Sequence, residues 1–313
     1  MIRIPLHRRR LLLTPLGPMC FGRGEQLGPH EARLEGRQVV AVDPLRWMSL
    51  LDPGRRAELA AQAGGPDGLR VLHRALHACE DPRLAPREVM LASSAVQAAW
   101  ADYLAGGGSP NFRVVRGATR RPDGTPFIPG RNLLAALKSG GAGHPTLSAG
   151  DAHAVEGSAR AVAVRVNRYT RTAPPRLVAA ARAEWVETLA PVGDMRFESA
   201  ASGPPDLLDT LGQAARARWT RPLERLLDEL QAPLVDAPPQ SSLAVFCERA
   251  GRALAQVRAD EAFVLRLGAG VGHASSRSQW LAELSPAMAG TPALSTVMPL
   301  GWFVARWSPW TAD

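Results

Sequence analysis

Glycine and polar residues that suit anion binding cluster near the C-terminus, in the stretch LGAGVGHASSR at residues 267–277. Glycines at alternate positions allow positive φ or a close approach of the backbone to a bulky group. Successive N–H groups in such a turn form a concave site for anions. The candidate phosphate contacts are Gly268, Gly270, Gly272, His273, Ser275 and Arg277.

Two known nucleotide-binding motifs do not match this stretch. Its spacing is G-x-G-x-G, whereas dinucleotide-binding folds have G-x-G-x-x-G and a following strand that ends in an acid. The Gly-Lys-Ser/Thr of a phosphate-binding P-loop is missing as well. A tight connection between a strand and a loop is the remaining alternative, and it would need one or two glycines.

A second candidate anion site is the stretch FIPGRNLLAALKSG at residues 127–140. A helix predicted to start after Gly130 would offer its first N–H groups and its positive dipole end to a phosphate. Arg131, Asn132 and Lys138 are the side chains nearest to that contact. An ordinary turn before a core helix is the alternative.

The third candidate is TPLGPMCFGRGEQLGP at residues 14–29, which follows a predicted strand. Gly22, Arg23 and Gly24 repeat the combination of glycine and arginine seen in the first stretch. A plain surface loop would have the same composition, so this stretch gains weight only beside the other two.

The sequence predicts no catalytic, metal or cofactor site. The seven histidines are scattered, and neither HExxH nor a paired carboxylate motif is found. His273 is interpreted as a hydrogen-bonding residue rather than a base, and Asp151 and His153 as solvated residues. Three dispersed cysteines indicate a reducing compartment. We find no signal peptide and no apolar run of about 20 residues, so we expect a cytoplasmic protein without a membrane anchor.

The charge balance favours a polyanionic partner. The chain has 37 basic and 29 acidic residues, which gives a net charge of +8, and Lys138 is the only lysine. Such a field attracts RNA and DNA, although a GC-rich genome would also produce the bias toward arginine. A chain of 313 residues with 46% hydrophobic and 21% charged residues has room for one large or two ordinary globular domains.

Periodicity and turn signals predict an α+β protein with helices on one face of its sheets. Asp43 and Pro44 are the expected start of the first helix. Residues 140–159 are interpreted as a linker or mobile insertion, and residues 176–200 leave helix and strand open. The predicted helices are 45–51, 55–63, 69–79, 86–104, 207–219, 222–231 and 243–258, besides the one after Gly130. The predicted strands are 8–14, 38–42, 112–116, 161–166, 195–198, 262–267 and 297–307.

Four stretches, in their chain order, resemble the RAMP superfamily of type III CRISPR effectors, and most of all the fifth-subunit family of the Csm-type, type III-A complex. LLLTPLGPMCFGRGEQLGP is similar to that family's opening strand and "L-T-P-L/V…G-x-G-E-E-L" loop. FIPGRNLLAALKSG is similar to its "I-P-G-S-S-L-K-G-A-L-R" arm and helix, with Leu134 in place of the family's lysine. AEWVETLAPVGDMRFE and FVLRLGAGVGHASS, with PLGWFVARW after it, are similar to its later strand pair, final glycine loop and closing strand.

The resemblance implies two ferredoxin-like, RRM-type domains with helical insertions, here placed at residues 1–155 and 156–313. It implies a non-catalytic RNA-binding subunit that caps the filament at the 3′ end of the guide RNA and supports guide maturation in antiviral defence. The implied partners are the guide RNA, a neighbouring backbone RAMP subunit, the small helical subunit and, indirectly, target RNA. A metal-independent endoribonuclease that processes guides, with a histidine as acid and base, is the alternative within the superfamily. Aromatic residues make up only 5%, so we expect contacts to the RNA backbone rather than to bases.

Overall fold

The computed structural model describes most of the chain in discontinuous ranges. These are residues 6–21, 26–28, 30–107, 114–116, 119, 121, 125–138, 146–171, 177–179, 184–235, 241–268, 278–283 and 297–309. Within these ranges no helix is long and apolar enough to cross a membrane.

The described part of the chain forms one mixed sheet with helices packed against it, which confirms the α+β class. The helices are α1 (Pro44–Leu50), α2 (Pro53–Ala63), α3 (Gly68–His77), α4 (Ser94–Ala105), α5 (Gly130–Lys138), α6 (Pro205–Val235) and α7 (Ser242–Arg258). The first strands are β1 (His7–Pro15), β2 (Gln26–Leu27), β3 (Ala32–Glu35), β4 (Gln38–Ala41), β5 (Glu88–Ala92), β6 (Val114–Arg116), β7 (Phe127–Ile128) and β8 (Ser148–Ala149). The later strands are β9 (Ala152–Arg171), β10 (Leu177–Ala179), β11 (Glu184–Gly203), β12 (Phe263–Arg266), β13 (Ser278–Glu283), β14 (Val297–Pro299) and β15 (Trp302–Pro309).

The main path of the sheet runs β12-β15-β1-β11-β9-β5-β4-β3, so β1 near the N-terminus lies between strands from the C-terminal half of the chain. β11 pairs antiparallel with β1 on one side and β9 on the other. The predicted boundary between residues 155 and 156 falls inside β9, and the division into two domains stays a prediction.

The prediction of a linker at residues 140–159 is wrong over its described part. β8 pairs with β11, and β9 begins at Ala152 and stays paired with β11 for most of its length. Small and polar residues typical of a linker form a strand here because β11 supplies a partner for their backbone groups. Residues 140–145 lie outside the described ranges.

Two helix predictions also need correction. Residues 86–104 were expected to form one helix, but residues 88–92 form β5, and Ser93 then caps α4 by accepting a hydrogen bond from the Val96 N–H (3.3 Å). The pairing of β5 with β4 buries Met90, which a local helix pattern cannot anticipate. The helices predicted at 207–219 and 222–231 are one helix, α6, with Pro222 inside it.

A continuous apolar stripe explains why α6 runs through Pro222. Proline in a helix interior removes a hydrogen bond and costs about 3 kcal/mol. The stripe buries seven side chains on both sides of it: Leu208, Leu211, Ala215, Trp219, Leu223, Leu226 and Leu230. Each buried leucine contributes about 1.5–3 kcal/mol, so their burial outweighs the cost of the proline.

The two faces of the sheet differ in what covers them. On β1 Leu11 is fully buried, whereas Leu12 and Thr14 are half-buried, because alternate residues point to opposite faces. Trp307, which pairs with Leu11, lies against Gly212 of α6 on the first face. α7 borders the second face beside Leu12 and Thr14. Helices therefore lie at both faces, contrary to the expectation of helices on one face.

A buried histidine lies in the smaller helical core formed by α3 and α4. The His73 ring is fully buried, with its centroid 5.0 Å from the Trp100 ring and 5.4 Å from the Tyr103 ring. Burial, together with the smaller effect of the neighbouring His77, lowers the pKa of His73 from 6.5 to about 4. The folded protein therefore holds His73 neutral at physiological pH.

This depressed pKa predicts a loss of stability in acid. The unfolded chain takes up a proton at His73 near pH 6.5, while the folded chain does so only near pH 4, so the free energy of unfolding falls between these values. The full loss is about 3 kcal/mol and levels off at lower pH. Urea denaturation of a His73→Phe variant at pH 7, 5.5 and 4 should show a flatter dependence than the parent. Substitution of the exposed His7 is the control, and equal slopes for parent and His73→Phe would contradict the assignment.

Candidate nucleic-acid interface

Backbone hydrogen bonds bring the chain after β1 together with the chain after β12 and before β15. The Gly301 N–H donates to Pro18 O (2.9 Å), and the Leu267 N–H donates to Gly301 O (2.7 Å). We call residues 18–21, residues 267–268 and Gly301 the loop junction. Two of the three glycine-rich stretches continue directly from it, one after Phe21 and one after Gly268.

Two glycines of the loop junction are required by its own packing. Gly268 has φ +97°, and a Cβ there would overlap Cys20 O. Gly301 has φ +74°, and a Cβ there would overlap Leu267 O. The sequence predicts Gly268 as a phosphate contact but does not predict a role for Gly301, whose only signal is a glycine inside the apolar run VMPLGWFV. Whether Gly268 also touches RNA stays a prediction.

Thr119 connects the loop junction to the third glycine-rich stretch. Phe21 O accepts hydrogen bonds from the Thr119 N–H (3.1 Å) and Oγ1 (2.6 Å). The Phe127 N–H donates to Thr119 O (3.4 Å), and Phe127 leads through Ile128 into α5. All three stretches singled out in the sequence are therefore linked to one place in the fold.

The first amide of α5 is already used within the protein. The Gly130 N–H donates to Asp151 Oδ1 (2.7 Å), and a Cβ on the buried Gly130 would overlap Ala149 O. Gly130 therefore serves the close packing of α5 on β8, and its own N–H is used within the protein. Whether Gly130 also contacts RNA stays a prediction. Asp151, expected to be solvated, completes the N-terminus of a helix that starts 21 residues earlier.

The side chains of α5 that are predicted to contact RNA differ in their exposure to solvent. Arg131 is exposed, and Asn132 and Lys138 are half-buried. Arg131 and Lys138 are two helical turns apart, about 10 Å along the axis, and lie on the same side of α5. Leu134, at the position of the family's lysine, packs against the main core between them. The positive charge of α5 is therefore split between its two ends.

Most of the remaining predicted contacts cannot be placed. The residues outside the described ranges are Gly22, Arg23, Gly24, Gly270, Gly272, His273, Ser275 and Arg277. Their contribution to a binding site stays a prediction. The described residues contain no group of three or more histidine, cysteine, aspartate or glutamate side chains that could hold a metal ion.

A buried arginine next to the loop junction was not anticipated. Arg266 is 2% exposed, and burial lowers its pKa to about 10, so it stays charged at neutral pH. Its guanidinium carbon lies 5.5 Å from the centre of the Trp302 ring, which partly compensates the charge. No carboxylate pairs with it among the residues that the structure describes. A buried positive charge thus lies next to the loop junction, directly before the C-terminal glycine-rich stretch. Its one signal in the sequence is an arginine inside the apolar strand FVLR.

No protein-family model matches the chain, and no curated protein matches it in sequence. Among solved structures, a chain in "Cryo-EM structure of Csm-crRNA-target RNA ternary complex in type III-A CRISPR-Cas system" is similar with a TM-score of 0.51 and 15% identity. The fold is similar to that of a type III-A complex subunit. The similarity covers 95% of this chain and 100% of that one. Csm5 from T. onnurineus is also similar, with a TM-score of 0.46, 13% identity and coverage of 94% of this chain and 99% of that one.

The loop junction generates a prediction about stability. Gly268→Ala combines positive-φ strain with an overlap against the Cys20 carbonyl, whereas Gly36→Ala, at φ +55° in open space, has the strain alone. We expect Gly36→Ala to lower the free energy of unfolding by about 1 kcal/mol. Gly268→Ala should lower it by ~1–3 kcal/mol more than Gly36→Ala does. Denaturant midpoints of both variants measure the difference. Equal midpoints would show that the junction yields easily and is not closely packed.

Proposed function

We propose that this chain is a non-catalytic RNA-binding subunit of a type III-A CRISPR effector complex, where it caps the backbone filament at the 3′ end of the guide RNA. The similar cryo-EM chain belongs to an assembly with crRNA and target RNA, and the likeness spans nearly the whole of both chains. The order of the sequence motifs resembles that of the fifth-subunit family of the Csm-type complex. Two ferredoxin-like domains, divided near residue 155, are part of this proposal.

The observation that carries the proposal is that two glycine-rich stretches of the sequence follow directly from the loop junction. Each stretch contains an arginine, Arg23 in one and Arg277 in the other. Arg266 lies beneath the junction. Loops that contain glycine next to fixed positive charge suit a phosphate chain, because backbone N–H groups and guanidinium groups can both reach it.

The position of the aromatic side chains supports contact with the RNA backbone instead of its bases. RRM-type sheets stack bases on exposed aromatic rings. Among the side chains that the structure describes, Trp47, Trp100, Trp302, Phe197 and Phe303 are fully buried, Trp307 and Phe127 are half-buried, and no aromatic ring is largely exposed. Binding that does not depend on base identity suits a guide RNA whose sequence varies.

The same proposal specifies the partners of this chain in the effector complex. A cap must contact the guide RNA and the last backbone subunit, with the small helical subunit beside it and target RNA reached only through the guide. The net charge of +8 favours RNA over protein as the main electrostatic partner.

RNA binding by this subunit should depend steeply on salt and hardly on base sequence. With about 4–6 phosphates neutralised, the slope of log affinity against log salt should be about −3 to −4 for single-stranded RNA. Fluorescence anisotropy with scrambled RNAs of equal length measures both properties. Gly270→Ala should weaken binding without unfolding, and Arg277→Ala should make the slope shallower by about 0.7. A flat salt response or a strong preference among the scrambled RNAs would refute the proposal.

Catalysis is tested separately. Purified protein incubated with repeat RNA in EDTA should leave the RNA intact. Specific cleavage that a His273→Ala variant loses would assign the chain to the guide-processing endoribonucleases instead. Complexes assembled with Gly270→Ala should contain guides that are lost or irregular at their 3′ ends.

A further inference from the structure

A cleft of about 240 Å³ lies on the second face of the sheet, between α7 and the outer sides of β1, β15 and β11. Its floor is aliphatic, formed by the half-buried Leu12, Thr14 and Val304. None of the described residues that line it is aromatic, so they offer no platform on which a base could stack. Polar recognition in this cleft must come from its walls.

The walls are strongly basic. Four arginines line the cleft, namely Arg196 from β11, Arg249 and Arg252 from α7 and Arg306 from β15, and Asp194 is the one carboxylate in the lining. The formal charge of the lining is therefore four minus one, or +3. We call this site the arginine cleft.

Most of this charge is not neutralised by the residues that the structure describes. The Arg249 Nη2 donates to Gly193 O (2.9 Å), a neutral acceptor that fixes the guanidinium without cancelling its charge. Arg306 is exposed and has no hydrogen bond or ion pair with the described residues. Arg252 pairs with Glu248 only at 3.6 Å and in solvent, which contributes little. Arg196 alone has a close carboxylate partner, Glu156.

The arginine cleft lies close to the loop junction along the chain. Pro15 and Leu16 line the cleft, and Pro18 of the junction follows two residues later. The Leu16 N–H donates to Trp302 O (2.9 Å), which fixes this connection to β15. A chain held at the junction needs only a short extension to reach the cleft.

We propose that the arginine cleft binds phosphodiester groups of single-stranded RNA, as a continuation of the strand held at the loop junction. The inference rests on the proposed function for the identity of that strand. Guanidinium groups bind phosphate oxygens through paired N–H donors, and an aliphatic floor without rings leaves the bases unread. Arg252 and Arg306, which have no strong partner among the residues that the structure describes, carry the contact, while Arg249 holds the rim in place through Gly193.

The test compares two double variants that remove equal charge. Arg252→Gln/Arg306→Gln removes the exposed arginines of the cleft, and Arg221→Gln/Arg225→Gln removes two exposed arginines of α6 that do not line it. All four side chains are exposed, so denaturant midpoints should stay at the parent value. The measurement is the salt dependence of binding to an RNA of about 15 nucleotides, near the upper site size of single-strand binding modules.

We expect the cleft variant to make the log–log salt slope shallower by about 1.4, which corresponds to two phosphate contacts, and the control variant to leave it unchanged. An equal change in both variants would overturn the inference, because net charge alone would then explain it. Tighter binding of poly-glutamate than of RNA, lost in the cleft variant, would also overturn it and assign the cleft to an acidic protein.

Failure of this inference and failure of the proposed function give different results. If the parent does not bind RNA, both are wrong. If the parent binds RNA, Gly270→Ala and Arg277→Ala weaken it and the cleft variant behaves like the parent, only the arginine cleft is wrong. If the cleft variant alone weakens binding, RNA binding by the arginine cleft is supported and the predicted role of the C-terminal glycine-rich stretch is wrong.

Discussion

The backbone pairing of β11 with β9 on one side and β1 on the other is the interaction on which the rest of the structure depends. Buried N–H and C=O groups must find partners, and a central strand satisfies them through its two neighbours. β11 also bonds to β8 and, through Leu189, to Met19 in the loop junction. The start of α5, the loop junction and the rim of the arginine cleft at Gly193 are therefore positioned by one strand.

The register of β1 gives its two faces separate tasks. Leu11 and Leu13 point into the main core, while Leu12 and Thr14 form the floor of the arginine cleft. A slip of one residue would exchange these sets, and the loss of buried leucine surface makes that exchange costly. Core packing thereby fixes the geometry of a surface whose own interactions are weak.

Glycine has more than one function in this chain. Gly130, Gly268 and Gly301 are needed because neighbouring carbonyl groups occupy the space of a Cβ. In a sequence, such a glycine looks the same as one that lets a ligand approach, because both follow from the missing side chain. The fold is nevertheless similar to that of a chain in a type III-A complex.

The sequence by itself determined those elements whose signals lie within a few residues of one another. Asp43 caps α1 as predicted, and β1 and α7 match their predicted spans closely. The α+β class was also readable, since it depends on periodicity and turn signals.

Only the tertiary structure decided the features that depend on distant partners. β5 is a strand because β4 pairs with it, and α6 continues through Pro222 because the core covers both of its halves. Asp151 reaches back to Gly130, and the arginine cleft combines residues from Leu12 to Arg306. The physical reason is the same in each case: pairing and burial energies belong to contacts between residues far apart in the chain, and local propensity, which is smaller, yields to them.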